Sequence, residues 1–154
     1  MEKTNKLINL LKNNNLTICS AESYTGGGFA NEITNTPGAS KVFKGSIICY
    51  SNDVKESILK VNKKTLEEKG AISYECCKEM AINAKNILNA DISVSFTGNA
   101  GPTGDEGKEV GLVYIGVCYR ENINIYELHL SGSREFIKSE SISYALDKIY
   151  DIII

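Results

Sequence analysis

The sequence predicts an α/β protein, a three-layer α/β/α sandwich with a mixed parallel/antiparallel sheet. Three observations predict it. Apolar runs of strand length alternate with amphipathic helical segments up to about residue 98, the pattern of strands joined by crossover helices. Two strand-like runs then follow with only a short polar stretch between them, as in a hairpin. Glycine-rich loops come directly after two of the strands, where open α/β sheets place ligands. The 154 residues fall within the range of one compact domain, so residues 1–154 are read as a single domain.

Each element has its own local reason. Residues 3–13 carry Leu7, Leu10 and Leu11 among polar positions, an amphipathic helix stopped by Asn13-Asn14-Asn15. A short strand, Leu16 to Ser20, enters the glycine-rich turn after Ser23. A helix through Phe29, Ala30 and Ile33 ends at Asn35-Thr36-Pro37-Gly38, where proline and glycine cannot continue it. A strand over 43–50 follows, then Ser51-Asn52-Asp53 starts a helix over 53–59, because short polar side chains accept from free N–H groups. A further helical piece runs from Asn62 to Lys69, Gly70 breaks it, and Ser73 caps a longer helix carrying Met80, Ala81, Ala84, Ile87 and Leu88. Ile92, Val94 and Phe96 alternate with serines in a strand. Gly98 to Gly107 is too rich in glycine for an element and is read as a functional loop. Strands over 110–118 and 123–130 form the hairpin, and a last helix runs from Ser133 to about Ile152.

Composition narrows the function. Lys plus Arg (17) nearly balances Asp plus Glu (19), so no broad basic field exists to hold nucleic acid, and no nucleic-acid partner is expected. The start lacks the apolar core and cleavage site of a secretory signal, and the apolar runs are too short to span a bilayer. The expectation is a soluble cytoplasmic protein with no membrane partner. The five cysteines include Cys19, Cys49 and Cys118 in apolar runs, and adjacent Cys76 and Cys77 lack zinc-ligand spacing. Reduced, buried thiols and no metal are expected. The terminal Ile152-Ile153-Ile154 fits an intramolecular contact as well as a subunit interface, which leaves a homo-oligomer open.

Ser23 stands at a strand-to-helix turn, a suitable place for an oxyanion or a phosphate, although such a segment taken alone is more often a plain tight turn. The segment is not a phosphate-binding P-loop, because the Lys-Ser or Lys-Thr pair is missing, and Gly26-Gly27-Gly28 lacks the spaced dinucleotide fingerprint. A serine nucleophile needs a base. The only histidine, His129, continues the strand pattern Leu128-His129-Leu130 and suits a structural or exposed role. A lysine or a carboxylate is left as the base. Arg134, after Ser131-Gly132-Ser133 at a helix start, suits a phosphate clamp and equally a solvated surface position. Tyr50 suits the pocket or the core, and Asn52 the pocket or a helix cap.

Five ordered segments together resemble a known family: Ala21-Glu22-Ser23-Tyr24-Thr25-Gly26-Gly27, Pro37-Gly38-Ala39-Ser40, Tyr50-Ser51-Asn52-Asp53-Val54-Lys55, Gly70-Ala71-Ile72-Ser73 and Thr97-Gly98-Asn99-Ala100-Gly101-Pro102. They are similar to the CinA C-terminal domain, the nicotinamide-nucleotide amidohydrolase family, over nearly the whole chain. The resemblance implies a bacterial enzyme of pyridine nucleotide salvage that converts nicotinamide mononucleotide and water to nicotinate mononucleotide and ammonia, without metal or other cofactor. It implies Ser23 as nucleophile and Lys55 as base. Thr25, Gly26, Gly27, Tyr50, Asn52, Thr97, Gly98, Ala100, Gly101 and Arg134 are the substrate-binding residues it implies. The chain resembles the stand-alone form of the domain. Two departures stand out. Tyr24 replaces the residue common in the family, and Lys108-Glu109-Val110-Gly111-Leu112 replaces a Lys-Pro-Val-Gly-Thr run, so Leu112 bears on substrate identity if that threonine touches substrate.

On this basis Ser23 attacks the carboxamide carbon, N–H groups near Ser23 or in the 98–101 loop hold the oxyanion, and Lys55 moves the proton. Lys55 in the first turn of its helix meets the positive end of the dipole, and burial beside the substrate pushes the same way, so its pKa is lowered. The alternatives are a non-catalytic nucleotide-binding or competence-related regulatory module, and an amidase for a different small amide.

Overall fold

The computed structural model describes residues 2–154 and has twelve elements besides its loops. Five are strands, β1 (Ile18–Glu22), β2 (Phe43–Ile48), β3 (Ile92–Gly98), β4 (Leu112–Tyr119) and β5 (Asn122–His129). Six are α-helices, α1 (Glu2–Asn13), α2 (Gly28–Thr34), α3 (Asn52–Ser57), α4 (Lys63–Glu68), α5 (Tyr74–Ile87) and α6 (Arg134–Ile153), and Ala39–Lys41 forms a 3₁₀ turn. The sheet order is β2-β1-β3-β4-β5, with β1 parallel to both β2 and β3 and the last three strands antiparallel. It is the expected mixed sheet.

The two faces of the sheet are covered by different helices. Ile18, Ile92, Val94, Phe96, Val113, Ile115 and Val117 pack with α1, α2 and α6 in the larger core, where Leu7, Leu11, Phe29, Ile33 and Ile149 are fully buried. Cys19 and Ala21 point the other way, against Cys76, Met80 and Ala84 of α5. The serines of β3, which alternate with its apolar residues, are also buried. Ser93 Oγ donates to the Ala81 carbonyl at 2.5 Å, Ser95 Oγ to Cys77 at 2.8 Å and Thr97 Oγ1 to Ala71 at 2.8 Å. Period-two alternation therefore reflects two buried faces here, one apolar and one bonded to α5 and the turn before it.

Element ends differ from the sequence expectation for local reasons. β1 begins at Ile18 because the Thr17 N–H and hydroxyl both bond Asp91 Oδ2, at 2.8 and 3.1 Å. β2 stops at Ile48 because the next two carbonyls, of Cys49 and Tyr50, turn toward Lys55. β4 begins at Leu112 because Gly111 bridges Asn99 and Leu130 with φ +92°, and a Cβ there would lie 1.8 Å from the Leu130 oxygen. Only glycine fits. Ser51, Asn62, Ser73 and Ser133 each cap the helix they precede. Ile152 and Ile153 pack against the larger core, leaving Ile154 exposed. Among the described residues no helix is long and apolar enough to cross a membrane.

Phe96 lies at the centre of the larger core, fully buried, with its ring 5.6 Å from that of Phe29 and 6.4 Å from that of Tyr24. Phe96→Ala is expected to lower unfolding stability by about 3–5 kcal/mol, read from urea denaturation. A cost below about 1 kcal/mol would show that this packing does not carry the core.

Candidate functional site

β1, β2 and β3 run parallel, so Ser23, Cys49 and Gly98 emerge at one end of the sheet. The chain leaves β1 for β2 on one side and reaches β3 on the other, which opens a crevice at the carboxyl end of β1. A cleft of about 390 Å³ lies there, within the ordinary size of small-molecule sites.

The turn carrying Ser23 is fixed by backbone bonds and by a carboxylate. Ser23 N–H donates to the Phe96 carbonyl at 3.0 Å, and Gly26 N–H returns to the Ser23 carbonyl at 3.0 Å. Gly26 and Gly27 have φ of +58° and +95°, which a side chain would strain. Gly27 also leaves α2 without a capping side chain. Buried Glu22 supplies the missing acceptor, taking Phe29 N–H at 2.9 Å and Ala30 N–H at 3.1 Å, with Ser20 and Ser46 hydroxyls on the same carboxylate. Nothing in the sequence pattern marks this role except a carboxylate ending a strand before a helix that lacks a cap.

Lys55 comes from α3, which Ser51 caps by accepting the Val54 N–H at 3.2 Å. Its side chain is almost entirely buried, at 1% exposure. Lys55 Nζ lies 2.8 Å from Ser23 Oγ, 2.8 Å from the Cys49 carbonyl and 3.1 Å from the Tyr50 carbonyl. Burial holds its pKa below the ordinary 10.5; Cys49, Cys76 and Glu106 act in the opposite direction. The two thiols are themselves pushed up by burial, Cys49 to about 11 and Cys76 to about 12, so near neutral pH they are uncharged and Glu106 is the opposing anion. Of the two expected origins of the shift, burial is the first cause, whereas the helix dipole is not among the causes and Lys55 falls in the last turn of the six-residue α3.

The hydrogen-bond set fixes what a neutral amine does here. Carbonyl oxygens only accept, so the two N–H bonds of the amine point at Cys49 and Tyr50 and its lone pair faces the Ser23 hydroxyl. Ser23 is thereby placed to donate its proton. Tyr24 and Ala100 also line the cleft, and their backbone N–H groups donate to no acceptor among the described residues.

Most of the expected residues meet in this cleft. Ser23, Lys55, Tyr50, Asn52, Thr97, Gly98, Ala100, Gly101 and Arg134 all line it. Tyr50 is 64% exposed at the cleft, which excludes the core alternative. Asn52 begins the helix, and the cap is Ser51. Arg134 is exposed at the cleft and tethered there by two hydrogen bonds. Its Nη1 donates to the Gly101 carbonyl and its Nη2 to the Tyr50 hydroxyl at 3.3 Å.

Thr25, Gly26 and Gly27 do not line this cleft. They border a separate shallow depression beside Lys138 of α6, because the turn after Tyr24 carries the chain over that helix. Leu112 is buried in β4 outside the cleft, and its carbonyl accepts the Asn99 N–H at 3.0 Å. His129 is exposed at the end of β5 between Glu109 and Glu127. All five cysteines are free and buried. Among the described residues no group of three or more His, Cys, Asp or Glu is placed to hold a metal.

Asp105 and Glu106 line the cleft without having been singled out in the sequence. Asn99 brings them there by folding the 99–111 loop. Its side chain donates to the carbonyls of Asp105 at 3.2 Å and Lys108 at 3.1 Å and accepts the Asp105 N–H at 3.0 Å. Glu106 then accepts the Ala71 and Ile72 N–H groups, at 2.8 and 3.1 Å.

Comparison with known proteins gives a consistent result. The model of the CinA C-terminal domain matches residues 1–153. A Bacillus cereus (strain G9842) protein described as a competence-damage inducible protein is 47% identical over 146 residues, which are 94% of this chain and 35% of that protein. The chain thus spans about a third of the length of the curated relatives it matches. A solved CinA superfamily protein from Klebsiella pneumoniae is 25% identical with TM-score 0.96, covering 99% of this chain and 96% of that one. A competence/damage inducible protein from Agrobacterium tumefaciens is 31% identical with TM-score 0.94, covering 98% and 93%.

The Lys55 shift is directly observable. In nuclear magnetic resonance of lysine labelled at Cε, one signal is expected to titrate below 10.5, and Lys55→Met is expected to remove that signal. Titration of the Lys55 signal at or above 10.5 would contradict the burial argument.

Proposed function

The chain belongs to the CinA C-terminal domain family, and from that premise we propose that it hydrolyses the carboxamide of nicotinamide mononucleotide to nicotinate mononucleotide and ammonia. The observation that carries this proposal is the buried contact of Lys55 Nζ with Ser23 Oγ at 2.8 Å, on the wall of a cleft sized for a small molecule.

Ser23 Oγ attacks the carboxamide carbon while its proton passes to the lone pair of neutral Lys55. Tyr24 and Ala100 N–H groups are the available oxyanion donors. The tetrahedral intermediate collapses as the C–N bond breaks, and Lys55 returns the proton to the departing nitrogen, which leaves as ammonia. Water then attacks the acyl-Ser23 ester, Lys55 takes one proton from it, and that proton restores the serine hydroxyl as the acid is released. No metal is needed in this sequence. Arg134, held at the cleft by Gly101 and Tyr50, is the group for the phosphate.

A purely binding or regulatory role leaves Lys55 unexplained, because burying an amine costs free energy that a surface lysine avoids. Catalysis gives the burial a use. The reaction fits pyridine nucleotide salvage in a cytoplasmic setting, where buried free thiols remain reduced.

Incubating purified protein with nicotinamide mononucleotide and measuring ammonia tests the activity. Wild type is expected to release it, and Ser23→Ala to lose at least a hundredfold in turnover while still binding the nucleotide, since losing a nucleophile costs orders of magnitude. Turnover by Ser23→Ala above about one per cent of wild type would remove the nucleophile assignment.

A further inference from the structure

The charges of the cleft are unevenly placed. Arg134 is fastened to Gly101 and Tyr50. Asp105 and Glu106 enter the same cleft from the β3–β4 loop. The Glu106 carboxylate is held against the 71–72 turn, and its field reaches Lys55. Lys108 pairs with Glu106 at 3.2 Å, but it is shared with the carbonyls of Lys69 and Ile72 and does not line the cleft. Asp105 differs. Asn99 fixes its backbone on both sides, yet its carboxylate has no hydrogen-bond or ion-pair partner among the described residues.

We propose that Asp105 and Glu106 form an anionic wall that selects an amide carried on a cationic ring and disfavours the carboxylate product of its hydrolysis. The proposal rests on the function proposed above and adds the ring charge as the property being recognised. A quaternised pyridinium beside two carboxylates is attracted, whereas the electrically neutral dihydropyridine form of the same mononucleotide gains nothing. The product keeps the ring cation but acquires a carboxylate where the amide stood, and that new charge meets the same wall. One pair of side chains thus favours substrate entry and product departure, while Arg134 serves the phosphate common to all three ligands.

Binding to the full chain carrying Ser23→Ala separates this from turnover. The probes are nicotinamide mononucleotide, its 1,4-dihydro form and nicotinate mononucleotide, each followed by titration calorimetry. The pyridinium amide is expected to bind about tenfold more tightly than the other two, a modest value for charges partly screened by water. Adding Asp105→Asn and Glu106→Gln together is expected to bring all three within about twofold, with the thermal midpoint checked alongside. Asp105→Asn alone is expected to move the ratios partway, and it removes no hydrogen bond within the fold. Equal binding of the three ligands to the parent, no binding of any, or ratios unchanged in the variants would overturn the proposal. Ammonia release by wild type decides the amidase activity separately, so a silent amidase with intact ring-charge preference is distinguishable from an active one without it.

Discussion

Everything in the site depends on burying a lysine nitrogen at the cleft wall and giving it only carbonyl acceptors and one hydroxyl as neighbours. Lys55 Nζ touches two backbone carbonyls and Ser23 Oγ at 2.8 to 3.1 Å. Burial disfavours the ammonium, and the carbonyls then dictate where the two remaining N–H bonds point. With the amine neutral, Ser23 becomes the donor in the serine–lysine contact. The placement of Lys55 also explains why β2 ends when it does, since the Cys49 and Tyr50 carbonyls face Lys55 while the Cys49 N–H still donates to the Glu22 carbonyl.

The sheet topology makes the contact possible. β1 lies between two parallel neighbours, and the loops after β1, β2 and β3 therefore open at one end. Glu22 caps α2 from the strand before it and sets the serine turn, and Ser51 starts α3 so that Lys55 points back under that turn. The third wall is the loop folded by Asn99. Its acidic residues give the cleft a polarity, and Glu106 is among the groups that oppose the lowering of Lys55 by burial.

Periodicity and punctuation made the elements legible, because α1, α5 and α6 carry clear apolar faces and four of the helices begin at a short polar cap. The pair Ser23 and Lys55 was legible only through the family's ordered motifs. Composition and spacing left the base open between a lysine and a carboxylate. Three features were hidden because they depend on tertiary placement. Thr25, Gly26 and Gly27 belong to the serine's turn but face away from the cleft, since a turn reverses direction within two residues. Glu22 reads as a strand residue until α2 is seen to lack a cap. Asp105 and Glu106 look like solvated loop charges, and only the bonds of Asn99 and of the 71–72 turn bring them to the cleft.

The central claim is that Lys55 acts as a neutral base and not as a fixed positive charge. A pH–rate profile of wild type beside Lys55→Arg, with nucleotide binding titrated separately, tests it most directly. Arginine keeps the charge but does not deprotonate in this range. The account predicts that wild-type kcat/KM rises with pH through a midpoint below 10.5, because the neutral amine accumulates above the lowered pKa. It predicts that Lys55→Arg binds nucleotide but is nearly inactive at every pH. An arginine variant with near-normal turnover would contradict it, and the base would then have to be another group in the cleft.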